Sequence, residues 1–248
     1  MKIDFYYWNY MCPLNYEMIE LLKKYRAQLE IHFHDITNNK QLAKQLRIFY
    51  PTLAVINDTY RHYSPITPQF LDSLCAGVIP EDIPYQPNLG EKEFIGKIIP
   101  ITRKNYSIAG CCTGKNCLEN CTRKMSSPLY DQLPILGFMN TDSDILLGGV
   151  EYIPSIYVPY DIPGEKTTAF ITCVYLSDTQ YDYKSPCLRA LEEYLSGDYK
   201  KILVISDETG VFPNGNLNFF KKNGYDDLGI LTCEKNYCTL HLMSKKIS

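Results

Sequence analysis

Four cysteines lie close together near the middle of the chain. They are Cys111, Cys112, Cys117 and Cys121, out of ten cysteines in total. If the stretch is helical, Cys117 and Cys121 share one face, where the two thiols could meet a metal ion or a third thiol. The vicinal pair Cys111-Cys112 is a fair ligand for thiophilic ions such as zinc. The spacing is not that of a zinc ribbon and no histidine is nearby, so ordinary cysteines in a pair of local helices are the alternative.

Composition and charge narrow the class of protein. A formal net charge of -3, without any basic run, argues against nucleic acid as a partner. No apolar stretch approaches the roughly 20 residues that cross a membrane, and the N-terminus has no signal-peptide pattern. We therefore expect a cytoplasmic protein with no membrane partner. In a reducing compartment, its cysteines are more typical of thiols or metal ligands than of disulfides.

A strand, a turn and a helix are predicted between Thr168 and Leu195. The run Ala169–Leu176 is apolar and rich in β-branched residues, and a polar turn follows it. The helix after the turn has apolar side chains at helical spacing, at Leu188, Leu191, Tyr194 and Leu195. The first backbone N–H groups of such a helix have no partner within the helix, so the junction predicts an anion site suited to a pyrophosphate.

The elements around this junction resemble the acetyl-CoA-binding half of GNAT-type N-acetyltransferases. Phe219 to Tyr225 is similar to that family's aromatic-pair, charged-pair, Gly-aromatic signature, and Gly149 to Pro154 resembles the central strand of one bacterial subgroup. The resemblance covers residues 92–248. The order that carries it is a strand ending at Val174-Tyr175, a turn, a Leu-rich helix, the strand Lys201–Ile205, the segment Asn216–Tyr225 and a last strand, Tyr237–Ile247.

The resemblance implies acetyl-CoA as cofactor and a small-molecule amine as substrate. The thioester would lie along Ala169–Tyr175, where backbone N–H groups polarise its carbonyl, and the pyrophosphate would lie at Tyr183–Leu188. Glu151 would face the amine beside the cysteine-rich segment and take its proton through water, or it is an ordinary strand residue. The implied cofactor-binding residues are Cys173, Val174, Tyr175, Lys184, Ser185, Cys187, Leu188 and Asn216.

The chain departs from the family at two places. The glycines of the family's phosphate loop are missing, and Asp182 to Cys187 stands in their place. Within that stretch we expect Ser185 to cap the helix, Pro186 to open it and Lys184 to contact phosphate. The family's frequent general-acid tyrosine falls on Phe220, whose phenyl ring cannot protonate a leaving thiolate.

The first part of the chain resembles the thioredoxin fold over residues 1–78. Cys12-Pro13 stands at the start of the first predicted helix, and Pro51 to Leu53 resembles the family's cis-proline strand. The predicted elements are strands Ile3–Trp8, Glu30–Ile36 and Tyr50–Asn57 and helices Leu14–Leu29, Asn39–Leu46 and Thr67–Leu74.

Cys12 is the one cysteine of its motif, Cys12-Pro13-Leu14-Asn15, so dithiol exchange within the motif is not available. The N–H groups that open a helix stabilise a thiolate there, which permits monothiol chemistry with a glutathione-like partner. The alternative is a small buried hydrophobe in a docking module.

The sequence thus predicts an α/β protein with α+β-type mixed sheets and two domains. A thioredoxin-like domain (1–78) and a proline-rich linker (79–91) precede a GNAT-like domain (92–248), whose first strand is Phe94–Ile101. The leading function is acetyl-CoA-dependent N-acetyl transfer to a small amine, with Glu151 and Cys12 as catalytic candidates and a homodimer as a candidate assembly. A non-catalytic module linked through thiols or metal is one alternative. A thiol oxidoreductase that uses Cys12 is the other.

Overall fold

The computed structural model describes residues 1–86, 89–112, 118–176, 180–210 and 214–247, and the chain divides into two compact units. The first unit comprises Met1–Ile83 and Pro159–Asp161, and the second comprises Pro84–Val158 and Ile162–Ser248. Among the described residues, no helix combines the length and the apolar character that a bilayer crossing requires.

The first unit is a four-stranded sheet with helices, in the strand order β2-β1-β3-β4. β1 runs parallel to β2 and antiparallel to β3. Its elements are β1 (Lys2–Tyr7), α1 (Leu14–Lys24), β2 (Glu30–Asp35), α2 (Lys40–Gln45), β3 (Thr52–Ile56), β4 (Tyr60–His62) and α3 (Pro68–Cys75).

The predicted order of strands and helices in this unit is confirmed, with the short strand β4 added. Ile3 and Phe5 of β1 pack with Leu22 of α1 and Leu71 of α3 in a buried core, which the alternation of the strands and the spacing of the helices anticipate. The helix α1 ends at Lys24 rather than at Leu29. The assignment of this unit to the thioredoxin-like fold stays a prediction.

The second unit is a seven-stranded mixed sheet in the order β10-β11-β9-β8-β7-β6-β5. Its elements are β5 (Lys97–Ile101), α4 (Tyr106–Ala109), α5 (Leu118–Met125), β6 (Gly137–Asp142), β7 (Ile145–Pro154), β8 (Thr168–Leu176), α6 (Lys184–Leu195), β9 (Lys201–Asp207), α7 (Leu217–Lys222), β10 (Asp226–Glu234) and β11 (Cys238–Lys246). Among these described strands, only the β8–β9 pair is parallel, and the other neighbours run antiparallel.

The two faces of this sheet carry different chemistry. On one face, Leu188 and Leu191 of α6 and Phe220 of α7 pack with Val150 and Val204 in the core of the unit. Because side chains alternate along a strand, Glu151 points to the opposite face, toward α4 and α5. The predicted mixed sheet is confirmed, although its first strand begins at Lys97 rather than at Phe94.

The parallel strands β8 and β9 separate soon after they begin to pair. Three residue pairs join them, from Thr168↔Lys201 to Phe170↔Leu203, and then β8 continues to Leu176 and β9 to Asp207 without pairing to each other. Cys173 pairs with Glu151 and Ile171 with Tyr152, so Thr172 is an extra residue in β8. Such a bulge bends a strand, and it lies where β8 leaves its neighbour.

A glycine in β7 gives room to a tyrosine of β8. Gly149 pairs with Tyr175 across the two strands. A methyl group on Gly149 would lie 2.5 Å from the terminal ring carbon and the hydroxyl of Tyr175, so the ring covers the glycine.

A histidine in β11 joins the hairpin of the last two strands to β9. His241 Nδ1 lies 2.9 Å from Asp227 Oδ1, and Nε2 lies 2.9 Å from Glu208 Oε1. Burial opposes the charged imidazolium, but the two carboxylates outweigh it, so the pKa of His241 is raised above its usual range.

We expect Gly149→Ala to destabilise the second unit by about 1–3 kcal/mol, because the added methyl group overpacks the Tyr175 ring. Gly197→Ala is the matched control: a methyl group at Gly197 meets nothing within 4 Å. Its effect should stay within about 0.5 kcal/mol. Urea unfolding measures both. Equal changes in unfolding free energy for the two substitutions would contradict the close contact between Gly149 and the Tyr175 ring.

We expect His241 to stabilise the fold in a pH-dependent way. Its pKa is higher in the folded chain than the value near 6.5 of an unfolded chain. The stabilisation is therefore fully present below about pH 6.5 and is lost as the pH rises through the folded pKa. The difference in unfolding free energy between the wild type and His241→Gln should shrink from about pH 6 to about pH 9. A difference that grows with pH would show that the imidazole is held neutral.

Candidate functional site

The N-terminus of α6 is already occupied by a carboxylate of the chain itself. Asp182 Oδ1 accepts hydrogen bonds of 3.0 Å from the backbone N–H groups of Lys184 and Ser185. Asp182 Oδ2 accepts a 2.6 Å bond from the Ser185 hydroxyl. The next residue, Pro186, has no N–H to offer. A pyrophosphate could reach the backbone of this first turn only by displacing the Asp182 carboxylate.

The prediction that Ser185 caps α6 and Pro186 opens it is wrong. The helix begins at Lys184, and Tyr183 precedes it without a capping side chain. Asp182 caps the helix instead, because its Oδ1 accepts from the N–H groups two and three residues further along the chain, which is the hydrogen-bond pattern of an N-cap side chain. Ser185 instead lies in the first turn and donates its hydroxyl proton to Asp182.

The residues before the second sheet hold Asp182 in place. Asp182 N–H donates to the Lys92 carbonyl at 3.0 Å, and Phe94 N–H donates to the Asp182 carbonyl at 3.2 Å. Both oxygens of Glu93 bond to the guanidinium of Arg189, at 2.9 and 2.6 Å, and this pairing lowers the pKa of Glu93. The position of Asp182 is thus fixed by two backbone hydrogen bonds to Lys92 and Phe94, and the residue between them, Glu93, forms a bidentate ion pair with Arg189.

A cavity of about 400 Å³ lies between the starts of α6 and α7. Lys184 lines it with a side chain that is only 4% exposed, and its Nζ lies 4.2 Å from the centre of the Phe219 ring. Burial lowers the pKa of Lys184, and the nearby Asp182 charge opposes this effect only in part. The residues around the cavity are Leu89, Gly90, Glu91, Asp182, Lys184, Asn216, Asn218, Phe219 and Lys222.

The other predicted cofactor residues of the two helices are in different environments. Asn216 lines the cavity and caps α7, because its side-chain oxygen accepts a 2.8 Å bond from Phe219 N–H. Cys187 and Leu188 are fully buried in the core, where burial raises the pKa of the Cys187 thiol. Their side chains are therefore turned away from the cavity, and a role in binding a cofactor stays a prediction for them.

The three predicted cofactor-binding residues of β8 lie in the part of the strand that no longer pairs with β9. Val174 packs in the core under α6, whereas Cys173 is half-buried. Tyr175 is buried, and its hydroxyl has no hydrogen-bond partner among the residues that the structure describes. Burial and then the Glu151 charge raise the pKa of Tyr175 well above its usual value.

Glu151 is buried in an ion pair that the sequence did not reveal. Lys124 Nζ donates to Glu151 Oε2 at 2.7 Å, and the Tyr106 hydroxyl lies 3.1 and 3.2 Å from the two carboxylate oxygens. Burial alone would lower the pKa of Lys124, but Glu151 and neighbouring groups raise it overall. The Lys124 ammonium also faces the rings of Tyr106 and Tyr130, at 5.3 and 5.7 Å. Both oxygens of Glu151 are thus engaged by donors of the chain.

The one sequence signal for Lys124 is its spacing, three residues after Cys121, which puts both on the buried face of α5. A lysine on the apolar face of a helix needs a buried partner. The sequence does not show that this partner is Glu151, which comes from a distant strand.

The cysteine-rich segment does not form a metal site in the described part of the chain. No group of three or more potential metal ligands occurs among those residues, so the zinc prediction has no support. Cys121 is buried against Gly110, Cys111 and Cys112 are half-buried, and the Cys111 thiol lies 3.4 Å from the Ser107 carbonyl. Cys117, the fourth predicted ligand, lies outside the described residues.

Cys12 belongs to the first unit and is half-buried, two residues before α1 begins at Leu14. Its carbonyl accepts a 3.0 Å bond from Asn15 N–H. Tyr160 is buried in the same unit, 5.2 Å from Trp8 between ring centres, and its pKa is raised first by burial and then by Cys12. A catalytic role of Cys12 stays a prediction.

Comparison with known proteins gives matches at the level of solved structures. No family model matches the chain, and no curated protein matches it. The chain is similar to the aminoglycoside 6'-N-acetyltransferase from Enterococcus faecium, with 17% identity over 61% of this chain and 97% of that one and a TM-score of 0.43. It is similar to Ard1 from Thermoplasma volcanium, with 13% identity, 62% and 99% coverage and a TM-score of 0.45. A third is an aminoglycoside 6'-N-acetyltransferase complexed with coenzyme A, with 16% identity, 61% and 97% coverage and a TM-score of 0.42. At these values the function has to be argued from the chain's own geometry.

We expect Lys124→Met to destabilise the second unit by about 3–5 kcal/mol, because it leaves the Glu151 carboxylate buried without its cation. The double variant Lys124→Met with Glu151→Leu removes both charges and should recover most of this loss. Urea unfolding of the two single variants and the double variant measures the coupling. Additive losses would mean that the two side chains do not depend on each other.

Proposed function

We propose that the second unit binds an acyl-CoA thioester along β8 and transfers its acyl group to a small amine. The observation that carries this proposal is the separation of β8 from β9 after Phe170. From Ile171 onward, the side of β8 that faces β9 has no ladder partner among the described residues of β9. Backbone N–H and C=O groups need partners, so this edge is suited to an extended ligand that carries amide groups.

The groups around the separated strands fit such a ligand only in part. The open edge and the cavity with Lys184 favour it. The N-terminus of α6 does not, because the Asp182 carboxylate fills the place where a pyrophosphate would bond to the backbone. The ligand would therefore lie on β8, with none of its phosphates on the first turn of α6.

Bound acyl-CoA would supply an activated acyl group, which moves from sulfur to the nitrogen of the amine. A backbone N–H of β8 near the Thr172 bulge would donate a hydrogen bond to the thioester oxygen and stabilise the charge that develops there. Glu151 would receive the proton of the amine through water, while Lys124 and Tyr106 keep its carboxylate oriented. Phe220 lies in the core, so this chain would leave protonation of the thiolate to solvent.

A binding module without turnover is the second candidate. The observation that favours it is the ion pair of Glu151, whose two oxygens are already bonded to Lys124 and Tyr106. A carboxylate that is held in this way has fewer lone pairs left for the water that would relay the proton of the amine. In this case the unit would hold an acyl-CoA or a related anion and leave it intact.

The two candidates differ in turnover. The purified chain would be incubated with acetyl-CoA and a panel of small primary amines, amino sugars and polyamines included. Free CoA and the acylated amine would be separated by chromatography, because ten cysteines would consume a thiol reagent. Amine-dependent release of CoA supports the transferase. Binding of acetyl-CoA in calorimetry without release of CoA supports the binding module. If the chain neither binds acetyl-CoA nor releases CoA, both candidate functions are contradicted.

Glu151→Gln should lower the turnover number by about 100-fold or more while the affinity for acetyl-CoA stays unchanged, because the proton acceptor is lost. Glu193, an exposed carboxylate of α6, is the matched control as Glu193→Gln. The double variant Lys124→Met with Glu151→Gln avoids an unpaired buried ammonium and keeps the test valid if the single variant unfolds. Full activity of the double variant would exclude Glu151 as the proton acceptor.

A further inference from the structure

The Lys184 ammonium is buried and has no counter-ion within the described part of the chain. Only 4% of the residue is exposed to solvent. Among the described residues, no carboxylate or carbonyl oxygen forms an ion pair or a hydrogen bond with Lys184 Nζ. Lys184 Nζ faces the Phe219 ring, 4.2 Å from the ring centre. A ring face stabilises a cation by much less than an anion does.

The carboxylate of Asp182 is engaged elsewhere and does not serve as a counter-ion of Lys184. Asp182 acts on Lys184 through its charge, but its two oxygens accept bonds from two backbone N–H groups and from the Ser185 hydroxyl. The Ser185 hydroxyl also accepts a 3.2 Å bond from the side chain of Asn223. Turning Asp182 toward Nζ would break the cap of α6. The Asp182 carboxylate thus stays bonded to the helix, and Lys184 has no ion-pair partner among the residues that the structure describes.

The cavity next to Lys184 offers the donors that an anion needs. Asn216 uses its side-chain oxygen to cap α7, which leaves its NH₂ group available to a ligand. Asn218 and Lys222 line the same cavity from α7. Two acidic residues also line the cavity: Asp182, whose carboxylate is bonded to the start of α6, and Glu91, which is exposed. A volume of about 400 Å³ exceeds what a single phosphate or pyrophosphate group requires.

We infer that this cavity is an anion site for a phosphate group, held by the Lys184 ammonium in place of the α6 N-terminus. A buried ammonium without a partner costs free energy that an entering anion recovers. Lys222 and the two asparagines would supply the remaining donors at the mouth. The identity of the ligand that brings the phosphate rests on the proposed function, but the site itself does not.

Lys184→Gln tests the site in two independent ways. Without ligand, the variant should be more stable than the wild type, because it removes an uncompensated buried charge. In calorimetric titrations, its affinity for CoA, dephospho-CoA and pyrophosphate should fall at least tenfold. Lys166→Gln is the matched control, since Lys166 is an exposed lysine of the same unit, and it should change neither stability nor affinity. In unfolding curves, pyrophosphate should raise the unfolding free energy of the wild type and of the Lys166→Gln control, but not that of Lys184→Gln.

Asp182→Ala separates the cavity from the helix terminus. This variant frees the two backbone N–H groups that Asp182 bonds and removes a nearby negative charge, so pyrophosphate should bind more tightly than to the wild type. The double variant Asp182→Ala with Lys184→Gln should recover part of the affinity that Lys184→Gln loses, through the freed terminus.

The outcomes distinguish this inference from the proposed function. If the wild type binds CoA and Lys184→Gln binds it equally well, the anion site is refuted while acyl-CoA binding stands. If inorganic phosphate or pyrophosphate binds and depends on Lys184 while CoA does not bind, the anion site stands and the proposed function fails. If neither CoA nor pyrophosphate binds to the wild type at millimolar concentration, both are refuted.

Discussion

The bonds between the Asp182 carboxylate and the start of α6 are the constraint on which the candidate site depends. A helix begins with backbone N–H groups that have no partner in the helix, and they attract either a side chain or a ligand. In this chain a side chain takes them, at 3.0 Å each. The backbone of Asp182 also forms hydrogen bonds with the Lys92 carbonyl and the Phe94 N–H group. A ligand that approaches the turn between β8 and α6 therefore meets a fixed negative charge.

Two buried lysines of the second unit show how differently a charge can be accommodated. Lys124 has a carboxylate at 2.7 Å and two aromatic faces, and its charged form is favoured. Lys184 has one aromatic face and a carboxylate that is bonded elsewhere, and its charged form is disfavoured. The buried charge of Lys124 is fully compensated within the chain by Glu151. An incomplete pair beside a cavity is what a binding site needs, because the missing partner can come from a ligand.

The sequence predicted those parts of the fold that depend on local pattern. The strand, turn and helix from Thr168 to Leu195 follow from an apolar run and helical spacing, and the structure has β8 and α6 there. The sheet of the second unit is mixed as expected, because the one parallel pair is joined through a helix. The predicted start of α6 lies two residues too late, because capping rules favour Asp182 and Ser185 alike, and the backbone bonds of Asp182 to Lys92 and Phe94 come from a distant segment.

The candidate site was harder to predict, because its contacts join distant segments. Glu151 could be singled out in a strand, but Lys124 lies 27 residues earlier, and nothing in either segment announces their pairing. Lys184 was identified through its place in the turn, whereas its burial depends on the Phe219 ring and on the cavity between two helices. Spacing rules describe neighbours along one element and do not show which elements meet.

The separation of β8 from β9 and the filled terminus of α6 would affect opposite ends of the ligand that we propose. An extended amide-bearing chain would gain hydrogen bonds along β8 beyond Phe170, where the strand edge has no described ladder partner on β9. A phosphate at its far end would lose the backbone bonds of α6 and, next to Asp182, would also meet repulsion. The affinity of the whole ligand then depends on whether one buried cation can replace several N–H donors. An ammonium at low dielectric interacts more strongly with a phosphate than a single neutral donor does, because the interaction of two full charges grows as the surrounding polarity falls. The burial of Lys184 is therefore the property that would let this fold hold a phosphate without a glycine-rich turn.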